Sequence, residues 1–139
     1  MQRRTFLAAS AAATATLALP KAAMAIDWVD YTPGLIDQLL GEGKVVLVDY
    51  AADWCSTCAR QARVISDLVN SNPAYSALAY VRVDWDDFKS HPVTKARGVP
   101  RRSTLLVLKG DQELGRLVAE TRKGQIQSLL DTGLAASTA

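Results

Sequence analysis

The segment Trp54-Cys55-Ser56-Thr57-Cys58 holds both cysteines of the chain, three residues apart. At that spacing on a helix two sulfurs can meet, so the pair can cycle between dithiol and disulfide. The preceding run Val45-Val46-Leu47-Val48 reads as a strand, and a helix is expected from about Cys55 to Asn70. The pair therefore sits at a strand-to-helix junction. A helix N-terminus presents unpaired N–H groups and a partial positive charge. A thiolate there is stabilised, and its pKa falls. Cys55 comes first and is expected to be the exposed nucleophile. Cys58, one turn later, is close enough to attack a mixed disulfide formed at Cys55. Two other chemistries compete. Zinc sites normally take four ligands, often as two cysteine pairs. With one pair and the single His91 far away in sequence, zinc within one chain is not expected. A purely structural disulfide would close a very short loop, which removes only roughly 2 kcal/mol of unfolded-state entropy. Motif and context favour redox chemistry.

The remaining pattern describes the elements that hold this junction. Thr32-Pro33 can open a helix, Thr as N-cap and Pro at the first helical position, with Leu35, Ile36, Leu39 and Leu40 as its apolar stripe. Gly41 and Gly43 stop it. The β-branched run Val45–Val48 predicts a central strand covered on both faces. In the helix after it, Ala62, Ile65 and Val69 recur at helical spacing, flanked by Val64 and Leu68. Further strands are expected at Ala79–Asp84 and Ser103–Leu108, with a short helix over His91–Arg97 between them. Gly110-Asp111 turns the chain into Leu114–Ala119, which alternates and should pair antiparallel with the strand before it. Lys123–Leu134 closes the chain as a helix. The order α-β-α-β-α-β-β-α implies an α/β fold, a mixed sheet with helices on both faces.

Val48-Asp49-Tyr50-Ala51-Ala52-Asp53-Trp54-Cys55-Ser56-Thr57-Cys58 resembles the thioredoxin family. The likeness continues through Asp84, Gly98-Val99, Thr104-Leu105-Leu106 and Lys123-Gly124-Gln125, and spans about residues 30–134. The resemblance implies the thioredoxin fold, a central mixed sheet flanked by helices on both faces. It implies a thiol–disulfide oxidoreductase acting on protein disulfides without a dissociable cofactor. It carries over Cys55 as nucleophile, Cys58 as resolving thiol and Asp49 as the buried carboxylate beneath them. Such a carboxylate loses hydration, so its pKa should rise and it can take the proton of Cys58; pairing with a neighbouring Lys or capping a turn is the competing role. Trp54, Arg102 and Ser103 are the expected substrate-docking residues. Ala52-Asp53-Trp54-Cys55 is also similar to the periplasmic C-terminal domain of the transmembrane disulfide-interchange reductase.

The sequence departs from the family in several places. Ser56-Thr57 replaces the usual Gly-Pro, no His precedes the second cysteine, Arg63 stands at the kink proline, and Ala51 replaces a frequent tryptophan. The loop facing the thiols normally ends in a cis-proline, and here that position is Ser103, with Pro100 three residues earlier. A cis bond before a non-proline residue costs roughly 2.5–4 kcal/mol, so the Arg102–Ser103 bond is expected to be trans. Ser103 also restores an N–H and adds a hydroxyl, and both can point at the sulfur of Cys55 or admit a metal. Arg101 and Arg102 are expected beside the thiols. Asp84-Trp85-Asp86-Asp87 reads as a solvated strand end, with a partner contact as the other reading.

Residues 1–25 differ in composition from the rest of the chain. Arg3-Arg4, an apolar run from Phe6 to Leu19, and Ala23-Met24-Ala25 have the layout of a secretory signal peptide. Arg3-Arg4-Thr5-Phe6-Leu7 resembles the twin-arginine export motif, with Sec export or an uncleaved anchor as alternatives. Cleavage after Ala25 would leave residues 26–139 as the domain, with the periplasm as destination. Without Arg3, Arg4 and Lys21 the chain has 13 basic and 14 acidic residues, net −1, and no strong basic field to hold nucleic acid. With 49% hydrophobic and 22% charged residues, a disordered chain, a collagen and a multi-pass membrane protein are excluded. A reductase relaying electrons from a membrane donor is favoured over an oxidase or isomerase, because the periplasm has no soluble thiol buffer. The expected state is a monomer with no bound metal. The competing class is a binding module holding a metal or partner through the cysteine pair; a homodimer joining two pairs would supply four thiolates.

Overall fold

The computed structural model describes residues 13, 15 and 26–139. The expected leader, residues 1–25, otherwise lies outside the described residues. Strands β1 (Trp28–Asp30), β2 (Val45–Ala51), β3 (Ala79–Asp84), β4 (Thr104–Lys109) and β5 (Gln112–Val118) form one sheet in the order β1-β3-β2-β4-β5. β3 pairs parallel with β1 and β2, whereas β4 pairs antiparallel with β2 and β5. All seven residues of β2 are buried, as the continuous apolar run requires of a strand covered on both faces.

Helices α1 (Leu35–Gly41), α2 (Ser56–Ser71), α3 (Trp85–Phe88), α4 (Pro92–Lys95) and α5 (Lys123–Ser137) surround the sheet. Side chains alternate across β2. Val45 and Leu47 pack with Ile65 and Leu68 of α2 and Ile126 and Leu130 of α5. Val46, Val48 and Tyr50 pack on the other face with Ile36 of α1 and Val93 of α4. Each fully buried Val, Leu or Ile contributes roughly 1.5–3 kcal/mol, so the two layers fix β2 and the junction at its C-terminal end. The mixed sheet with helices on both faces is the architecture expected from the sequence.

Four local expectations are corrected. Thr32 does not cap α1: Gly34 precedes it with φ 89°, and the Leu35 N–H donates to the Thr32 carbonyl at 3.0 Å in a turn. A left-handed residue at the helix entrance moves the start two residues on. β1 was not foreseen, because its three residues have one partly buried side chain and two exposed ones. Asp84 is more than a solvated strand end: its side chain accepts from the Asp87 N–H at 3.0 Å and caps α3. Ser103 precedes β4 rather than starting it.

Candidate active site

The thiols sit where β2 hands over to α2. Cys55 is the N-cap of α2, with extended backbone (φ −89°, ψ 108°), and its Sγ accepts the Cys58 N–H at 3.2 Å. Sulfur thus takes the place of the Ser or Asp oxygen that ordinarily satisfies such a donor. The two cysteines form a disulfide across Cα atoms 5.3 Å apart. Contrary to the expectation of an exposed nucleophile, Cys55 and Cys58 are each 3% exposed. Ala51, Ala52 and Trp85 pack around them, and the loop ending at Ser103 reaches both sulfurs. A cavity of about 130 Å³ borders the pair, with Asp53, Ala59, Arg82 and Asp84 in its wall.

Trp54 is the exposed neighbour, at 60%. Its indole Nε1 donates to Asp86 at 2.8 Å, and the Arg102 guanidinium lies over its ring, 4.4 Å from the centroid. A cation held over an indole face is attracted by the ring's negative quadrupole. The acidic segment and the Arg101-Arg102 loop therefore meet at one aromatic platform beside the disulfide. Arg101 is not part of it: its Nε donates to the Arg102 carbonyl at 3.1 Å, in the loop itself.

Among the described residues there is no cis peptide bond, so the Arg102–Ser103 bond is trans, as expected. Ser103 is fully buried with φ 63°. Its Oγ stands 3.2 Å from Cys55 Sγ and 3.1 Å from Cys58 Sγ. Its N–H does not point at sulfur: it donates to the Tyr50 carbonyl at 2.7 Å and ties the loop to β2.

Asp49 is fully buried on β2, and neither carboxyl oxygen has a hydrogen-bond partner. It shares a face of the strand with Val45 and Leu47, the face that α2 covers. Neither a Lys pair nor a turn cap occupies it. Loss of hydration pushes its carboxyl up to about 7, and the Arg82 charge, opposite in the β2–β3 register, pulls the other way. A carboxyl near neutrality can accept a proton and release it at physiological pH.

Gln61 and Arg82 were missed by sequence reasoning, and Asp86, read only as part of a solvated strand end or partner contact, instead accepts from Trp54. Gln61 is fully buried, and its Nε2 donates to the Ser103 carbonyl at 3.0 Å and the Glu120 carbonyl at 2.9 Å. The available signal was its position: one turn after Cys58 and one before Ile65, it interrupts an inward stripe with a polar group. His91 caps α4, its Nδ1 accepting the Val93 N–H at 3.1 Å, and it takes no part in the thiol site. Among the described residues no group of three or more His, Cys, Asp and Glu is placed to hold a metal ion.

Comparison with known proteins gives the same answer as the geometry. The family model described as thioredoxin matches residues 34–132. Thioredoxin 2 of Chlorobaculum tepidum is 30% identical over 95 residues, covering 68% of this chain and 83% of that protein. Thioredoxin of Buchnera aphidicola is 28% identical over 104 residues, covering 74% and 92%. The crystal structure of Trxlp from Edwardsiella tarda superposes with a TM-score of 0.66 at 31% identity, covering 75% of this chain and 98% of that one. The chain belongs to the thioredoxin family, and with its Cys55–Cys58 pair it is a thiol–disulfide oxidoreductase acting on protein disulfides.

Proposed function

We propose that the protein is an exported protein-disulfide reductase of the bacterial periplasm, acting as a monomer and recharged by a membrane electron donor. Export is supported by Arg3-Arg4, the apolar run and Ala23-Met24-Ala25. The likeness of Ala52-Asp53-Trp54-Cys55 to the periplasmic domain of the transmembrane disulfide-interchange reductase supports the pathway. In the reductive cycle the Cys55 thiolate attacks a substrate disulfide. One substrate sulfur joins Cys55, and the other leaves and takes up a proton. Cys58 gives its proton to Asp49 and attacks Cys55. The second substrate sulfur then leaves and is protonated, and Cys55–Cys58 closes as a disulfide. Two electrons pass to the substrate. Trp54 and Arg102 line the surface against which the substrate peptide docks; Ser103, expected there as well, is buried beneath it against the two sulfurs.

The observation that carries the thiol-exchange part of this reading is the buried, unpartnered Asp49 carboxyl, poised near neutrality on the strand that ends at the cysteine pair, and it serves either direction of electron flow. Its test is the reduction potential of the Cys55/Cys58 couple. A value near or below the roughly −270 mV of thioredoxin supports a reductase. A value far above it would remove that direction and leave an oxidase or isomerase. Export is tested separately by cell fractionation: Arg3→Lys with Arg4→Lys should hold the full-length precursor in the cytoplasm if the twin-arginine route is used. The mature protein should begin at Ile26.

A further inference from the structure

Ser103 is an unusual place to find a buried side chain in the left-handed region, since a non-glycine residue there is strained. It is held by its surroundings on every side. Its N–H is bound to the Tyr50 carbonyl at 2.7 Å, and its own carbonyl accepts the Ala119 N–H at 2.8 Å and Gln61 Nε2 at 3.0 Å. Ala119, at the far end of β5, is itself left-handed with φ 55°. Gln61 spends its second N–H on the next carbonyl, Glu120. One buried amide from the cysteine helix thus ties down both strained segments, leaving its own Oε1 without a partner. The net result is a hydroxyl almost equidistant from the two sulfurs, 3.2 and 3.1 Å away.

We propose that the Ser103 hydroxyl donates to whichever sulfur carries negative charge during exchange, and that Gln61 is the positioning residue that keeps it between the two. This rests on the assignment of Cys55 as attacking and Cys58 as resolving thiol. In the reduced protein the Cys55 thiolate accepts from the Ser103 O–H and from the Cys58 N–H. When Cys55 bonds to the substrate sulfur its charge leaves with the departing substrate thiolate. Cys58 then loses its proton to Asp49, and the Ser103 O–H turns toward it by rotation about Cβ–Oγ, with no heavy atom displaced. A hydrogen bond to an anionic sulfur favours the charged form. The same group therefore serves attack and resolution in turn.

The test tracks iodoacetamide alkylation of the reduced protein against pH, with the labelled cysteine mapped by mass spectrometry, in the unaltered protein, Ser103→Ala, Gln61→Leu and the double variant. Ser103→Ala should slow alkylation of Cys55 at pH 6 about tenfold, by raising the pH at which its thiolate forms. Gln61→Leu should shift the profile the same way, and the double variant should be no slower than Ser103→Ala alone. Ser103→Thr, which keeps the hydroxyl, should retain the original profile. Gln61→Met carries the same comparison if Gln61→Leu does not fold. Independent, additive effects in the double variant, or a Gln61 variant that loses thermal stability without moving the profile, would overturn the proposal while Cys55 remains the labelled residue. Labelling of Cys58 first in the unaltered protein would instead overturn the assignment of roles, and the proposal with it.

Discussion

The proposed division of labour between the cysteines rests on what surrounds each sulfur, because both are equally buried in the disulfide. Cys55 ends a helix dipole and receives a backbone N–H; Cys58 lies within the first turn. Cys55→Ser should therefore abolish disulfide reduction in an insulin turbidity assay. Cys58→Ser should accumulate substrates as mixed disulfides on Cys55, read on non-reducing gels of periplasmic extract. A Cys58→Ser protein that stays alkylatable yet collects no adducts would contradict this order. Asp49→Asn should slow resolution more than initial attack, since in the proposed cycle the carboxyl takes the proton of Cys58. Stopped-flow measurement of the two steps separates them, and equal slowing of both would remove the proton-transfer role. That Cys55, Cys58, Asp49 and Trp54 gather at one junction was legible because each is a distinctive residue type within a short motif. Gln61 was not, because its role depends on the backbone of two loops that are 42 and 59 residues away in sequence.

At the level of elements, strong apolar periodicity was a reliable guide and short segments were not. β3 occupies Ala79–Asp84 as read from sequence, because β-branched residues there bury against β2 on one side. β1 pairs over only three residues, too few for an alternation to be seen. The entrance of α1 was misplaced because Thr-Pro is a sound helix opening in isolation, while the chain needs a sharp turn first. Gly34 makes that turn, and a Cβ added there would meet nothing within 4 Å. Gly34→Ala should therefore cost only the left-handed backbone penalty, about 1–2 kcal/mol, read as a lower urea midpoint with unchanged slope. Full activity of the folded variant would accompany it, because α1 lies on the face of the sheet away from α2.

For the molecule as a whole, Asp49 links folding to pH. Its carboxyl ordinarily titrates near 3.8 and in the fold near 7. Between those values the native protein holds a proton that the unfolded chain has released. Stability is therefore fullest below about pH 4, declines as pH rises toward 7, and stays lower above it. The full span corresponds to on the order of 4 kcal/mol. Asp49→Asn should match the parent near pH 4 and exceed it by up to that amount at pH 8, measured by denaturant unfolding of the oxidised proteins. A constant difference across this range would mean that the carboxyl is hydrated in the fold. The same burial that raises the Asp49 carboxyl toward neutrality thus weakens the molecule above pH 7.

The two left-handed residues that bracket the β4–β5 hairpin also have a consequence for amide exchange. Ser103 and Ala119 lie just outside strands, where backbone protons ordinarily trade with solvent quickly. Their N–H groups are committed to Tyr50 and Ser103 carbonyls at 2.7 and 2.8 Å. In deuterium oxide these two amides should stay protonated about as long as the interior of β2. The open end of the hairpin would then belong to the last part of the molecule to come apart, and fraying would begin at Gly110-Asp111, its closed end.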